Sequence, residues 1–131
     1  MLEIAFKAFS AGIAGLKYVD SKRSSGKEAL EERREAIAAV RAAAIKTRAF
    51  LYDKEVGNNP DRDAERAISE AWLIASSRIE AFNEELFEKT YAKSLGYADP
   101  REWKKISEAE IDVSIDSIVD QCDRMLEELR K

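Results

Sequence analysis

SEAEIDVSIDSIVDQCDRMLEELRK, residues 107–131, decides between a helical and a stranded reading of this chain. Its β-branched residues favour a strand. Its spacing does not. Ile111, Ile115, Ile118, Cys122, Met125 and Leu129 recur at intervals of 4, 3, 4, 3 and 4, which places them on one face of a helix. Asp112, Asp116, Asp120 and Asp123 fill the positions between. Ser107 followed by Glu110 has capping-box spacing and predicts the start of this helix.

Working outward, the same periodicity recurs along the chain. Leu2, Phe6, Phe9, Ile13 and Leu16 form an apolar stripe, with Gly12 and Gly15 four residues after Ala8 and Ala11. Small residues at that spacing let a neighbouring helix approach closely. A second helix is predicted from Ser25–Glu28, another capping box, through Leu30, Ile37, Val40, Ala44 and Leu51. Its middle, from Ala36 to Ala44, is rich in alanine and favours helix strongly. Gly57–Asn58–Asn59–Pro60 stops it, with Gly57 suited to a left-handed C-terminal position and Asn59–Pro60 to a cap and first helical residue. A third helix is then predicted without interruption to about Leu95–Gly96, its apolar face being Ile68, Trp72, Ala75, Ile79, Phe82 and Leu86. Asp99–Pro100 opens a short helical turn containing Trp103, near residues 100–106.

Short connections between long helices imply antiparallel neighbours. The expectation is one all-α domain over residues 1–131, an up-down-up-down four-helix bundle with a short extra helix. The second and third helices, roughly 45 and 52 Å long, outreach the first and last at roughly 30 and 36 Å. Their hairpin should therefore project, carrying Phe50, Leu51, Tyr52, Val56 and Ile68 at or near an uncovered tip. Exposed apolar clusters of that kind mark interfaces.

Charge is distributed unevenly. The chain has a net charge of −4 and a pI near 5.1. Residues 1–65 carry +1 and residues 66–131 carry −5. Lys27, Arg34, Arg41 and Arg48 recur every seven residues on the second helix, with Ala38, Ile45 and Tyr52 between them. Asp112, Asp116, Asp120, Asp123 and Glu127 line the last. Like charges at such spacing do not stabilise a helix. The second and fourth helices of an up-down-up-down bundle are diagonal, so these two lines are expected to face apart, open either to solvent or to pairing with another copy or another protein.

Several chemistries are excluded by composition. There is no His and only one Cys, which removes Ser–His–Asp and Cys–His catalysis and zinc sites built on those residues. The Glu-x-x-His pattern of di-iron bundles cannot be written. Cys122 falls on an apolar stripe and reads as a buried core thiol, and a single Cys fits a reducing cytosol. The uncharged core of the N-terminal stripe, Ala8 to Leu16, is too short to cross a bilayer, and Glu3 argues against a signal peptide.

No catalytic, metal or cofactor residues are therefore assigned. The expected function is a cytoplasmic, self-associating protein–protein interaction module, acting as adaptor, regulator or inhibitor. Its contact surface is placed on Arg41, Ile45, Arg48, Phe50, Leu51 and Tyr52: arginines for bidentate contacts to carboxylates, aromatics for apolar pockets. The alternatives are a membrane-surface domain led by residues 2–19, and a nucleic-acid-binding accessory protein using Arg34, Arg41, Arg48 and Tyr52.

Overall fold

The computed structural model describes residues 26–59 and 61–130. They form five helices joined by turns: α1 (Gly26–Glu55), α2 (Arg62–Ile79), α3 (Glu84–Ala98), α4 (Glu102–Glu108) and α5 (Ile115–Leu129). The helix expected over residues 2–19 and the cap expected at Ser25 lie outside the described residues.

α1 and the short helix α4 form where the sequence places them, and Gly57 closes α1 with a left-handed φ of 89°. Other boundaries differ. Asp61, not Asn59, caps α2: its carboxylate accepts the amide of Ala64 at 3.0 Å. α5 begins at Ser114, not Ser107. The Ser114 hydroxyl accepts the amide of Ser117 at 3.2 Å, whereas Ser107 sits inside α4 and Glu110 turns the chain at φ 58°. Ser107 and Ser114 both suit a helix start, and Ser114, directly before Ile115 of the apolar stripe, is the one that caps α5.

The main correction concerns the predicted third helix. It is two helices. α2 ends at Ile79, Asn83 adopts an extended conformation, and its side chain accepts the amide of Leu86 at 2.9 Å to start α3. Asn83 followed by Glu84 and Glu85 is a helix N-terminus, with an oxygen cap and acidic residues beside the positive end of the dipole. Neither Gly nor Pro marks the reversal, so the continuous apolar spacing across it conceals the turn.

The reversal supplies the bundle with its fourth long helix. α2 runs against α1, with Trp72 beside Thr47 and Phe82 beneath Arg33. α3 runs against α2: Ser69 and Ser94 exchange hydrogen bonds, and Arg62 reaches the carbonyls of Tyr97 and Ala98. α5 runs against α3, with Ser117 beside Lys89 and Met125 beside Asn83. α5 also packs antiparallel to α1 and closes the ring. The fold is an all-α, up-down-up-down helical bundle, as the sequence predicts, but built from α1, α2, α3 and α5.

The core is continuous through this ring. Ile37, Val40 and Ala44 of α1 meet Trp72, Ala75 and Ile79 of α2, Leu86 and Phe87 of α3, and Ile118 and Cys122 of α5. Ile68, expected near the exposed tip, is buried here at 2% exposure. α4 folds back on α3: the Trp103 indole lies on Gly96, leaving no room for a Cβ, and meets the Tyr97 ring edge-on at 5.2 Å. Gly96 therefore sits within α3 as a close-approach residue and does not end it.

Candidate functional site

α1 is the longest helix among the described residues and holds every sequence-predicted contact residue. The structure separates them into three groups.

The arginines are engaged within the molecule. Arg41 lies 3.5 Å from Asp123, and Arg48 donates to Asp116 at 2.9 Å. The expectation that the basic and acidic lines face apart is overturned. The reversal at residues 80–83 inserts a helix into the ring, and α5 becomes the neighbour of α1 instead of its diagonal. Both pairs are substantially solvated, so each adds little stability, and both fit the one antiparallel register of α1 and α5.

Phe50 is half-buried and meets the Tyr97 ring edge-on at 5.8 Å, which ties the end of α1 to α3. It is a packing residue on the border of the core.

Ile45, Leu51 and Tyr52 remain exposed, together with Val56. The exposure of Ile45 is 69% and that of Tyr52 is 62%, large for residues of this type. They belong to a longer pattern. Ala38, Ala42, Ile45, Ala49, Tyr52 and Val56 recur at intervals of 4, 3, 4, 3 and 4, and all six are exposed. Ile37, Val40, Ala44 and Thr47 occupy the opposite side of the same helix and are buried. α1 thus carries two apolar faces, one filled by the bundle and one turned to solvent. Ile74 of α2, 52% exposed, adds to the apolar surface outside the bundle.

Ala42 and Ala49 complete the outward seam and were missed in the sequence. The signal was present, since their spacing repeats that of the last helix. The alanine-rich middle of α1 reads as one thin side when small residues on two faces are counted together.

Elsewhere the titratable groups behave as packing elements. Cys122 is fully buried, and desolvation pushes its thiol up to about 11, opposite to an activated thiolate. Lys93 is 8% exposed; its ammonium lies 5.7 Å from the Trp103 ring and 5.9 Å from that of Tyr97. Burial lowers its pKa to about 8, with Asp112 opposing the shift. Among the described residues no cluster of three or more His, Cys, Asp or Glu side chains could hold a metal ion, and no helix is long and apolar enough to cross a membrane. Comparison of the chain with known proteins finds no matching family model, no matching curated protein and no matching solved structure.

Proposed function

We propose that this protein is a non-enzymatic protein–protein interaction module, an adaptor, regulator or inhibitor, that docks through the outward seam of α1. The observation carrying this reading is the double apolar character of α1. A helix that is apolar on opposite sides is normally buried on both. Burying the exposed part of Ile45 or Val56 against a partner would contribute about 1–2 kcal/mol each, and Tyr52 adds a large amphipathic anchor. The seam's three alanines, Ala38, Ala42 and Ala49, lower the surface so that a partner helix can come close. Leu51 continues the bundle-facing side of α1, seven residues after Ala44 and four after Thr47, and lies outside this seam, while Arg41 and Arg48 act at the seam's edge, already oriented by Asp123 and Asp116. That engagement leaves the arginine row less suited to tracking a phosphate backbone. The lone buried Cys122 supports a reducing, cytoplasmic setting.

The test is photo-crosslinking in cells with a benzophenone amino acid at Ile45, or at exposed Glu70 as a control. A discrete adduct at Ile45, absent at Glu70 and lost on Tyr52→Lys, is the expected result. Equal labelling at the two positions, or none at Ile45, rejects the reading.

A further inference from the structure

We infer that the occupant of the α1 seam is the α1 helix of a second copy of this chain, packed antiparallel about a two-fold axis. The inference rests on the interaction reading above and names its partner. It is carried by the order of side-chain sizes along the seam. A two-fold passing beside residue 47 brings Ala38 opposite Val56, Ala42 opposite Tyr52, and Ile45 opposite Ala49. Every layer then pairs a small side chain with a larger one, and all six exposed seam residues are used twice. Alternating small and large residues across facing positions is what allows two helices to interdigitate without voids. Sliding one helix by a heptad loses this match. In one direction Glu35 then meets Tyr52 and Glu31 meets Val56; in the other Ile45 meets Val56, and Ala38 and Ala42 pass beyond the end of the partner helix.

The flanking charges fit the same register. Arg41 of one copy stands beside Glu55 of the other, and Lys46 is within a turn of Asp53 of the other, each relation occurring twice. The like-charge meetings fall at the axis. Lys46 also approaches its own image, and so does Arg48, whose guanidinium is already held by Asp116 at 2.9 Å. The opposite charges at the ends support the antiparallel register, and a parallel pair would set each seam residue against its own image, Tyr52 on Tyr52 and Ala49 on Ala49, and lose the small-to-large match. A seam of one helix per protomer lies at the low end of interface sizes, below about 1,200 Å² in total, so the dimer is weak and reversible.

Sedimentation equilibrium of the full chain from low micromolar to near-millimolar concentration tests this. A monomer–dimer equilibrium is expected, with Ile45→Asp raising Kd by about tenfold or more while the circular dichroism of the monomer is unchanged. Register is read by disulfide trapping in a Cys122→Ala background. A mixture of Ala38→Cys and Val56→Cys chains should give the mixed dimer, and Ala38→Cys alone should not couple. Coupling of Ala38→Cys with itself overturns the antiparallel arrangement. A monomer at every concentration overturns the second copy as occupant. In that case coupling of Phe9→Cys to Ile45→Cys within one chain would assign the seam to residues 1–25. A foreign photo-adduct at Ile45 would keep the interaction reading and assign the seam to another protein. Absence of a foreign photo-adduct, with or without the intrachain coupling, would remove the interaction reading as well.

Discussion

The indole N–H of Trp72 donates to the hydroxyl of Thr47 at 2.8 Å, and that hydroxyl donates onward to the carbonyl of Ala43 at 2.8 Å. Both side chains have no solvent exposure. The largest fully buried side chain among the described residues thus has its one polar atom satisfied by the neighbouring helix. This bond sets the register between α1 and α2.

Thr47→Val keeps the shape of the side chain and removes the acceptor. The Trp72 N–H is then buried without a partner, which costs about 1–3 kcal/mol, more than the hydrogen bond itself contributes. Urea denaturation should show a lower midpoint with an unchanged slope. An unaltered midpoint would mean that the indole finds another acceptor and that the bond does not set this register.

Asn83 makes the reversal between α2 and α3. Its Oδ1 accepts the amide of Leu86 at 2.9 Å, and the amide of Asn83 itself donates to the Ile79 carbonyl at 3.0 Å. Asn83→Ala should cost about 1 kcal/mol in denaturant unfolding. Helical content by circular dichroism should stay constant, because the packing of α3 against α2 holds the turn when the cap is gone. A rise in helical content, with residues 62–98 becoming one rod, would show that the cap and not the packing enforces the reversal.

Lys93 gives the stability a pH dependence in the alkaline range. Its pKa falls from an ordinary 10.5 to about 8 in the folded chain, chiefly by burial. Below pH 8 both folded and unfolded chains hold the proton, and the buried charge weighs on the folded state. Above pH 8 the folded chain sheds the proton and the unfolded chain keeps it. Unfolding then binds a proton, and stability rises by up to about 1.4 kcal/mol per pH unit. The buried Cys122 thiol works in the other direction once the unfolded thiol ionises, above its ordinary value of 9.0. The rise is therefore read between pH 7 and pH 9. Lys93→Met should be more stable than the natural chain at pH 7 and should lose the rise. A natural chain whose unfolding midpoint is flat over this range would show that the Trp103 and Tyr97 rings compensate the burial of the ammonium.

Helical periodicity was the legible part of this protein. Trp72, Ile79, Leu86, Ile118 and Cys122 read as core from spacing alone and are buried. Gly57 read as a left-handed stop and is one. The reversal at Asn83 was not legible, because apolar residues at helical intervals continue from Ile79 through Phe82 to Leu86. A chain that turns between two helices can preserve that rhythm by chance of register. The competing signal was one Asn followed by two Glu. Capping is worth about 1 kcal/mol, too small to stand out beside a long apolar stripe.

The exposure of the proposed contact residues was legible in part for a related reason. Ile45, Leu51 and Tyr52 are exposed as expected, while Arg41, Arg48 and Phe50 are occupied inside the molecule. Their fate depended on which helix became the neighbour of α1.

Local chemistry specified the helical periodicity, most of the core and the exposed large apolar residues of α1, because side-chain spacing and burial preference are properties of a segment read alone. Neighbour relations were set in three dimensions. One reversed turn converted a long helix into an antiparallel pair, moved α5 beside α1, and turned an apparently unpaired arginine row into two internal ion pairs. Pairings of that kind depend on the order of helices around the bundle, and that order is a property of the assembled packing and not of any single segment.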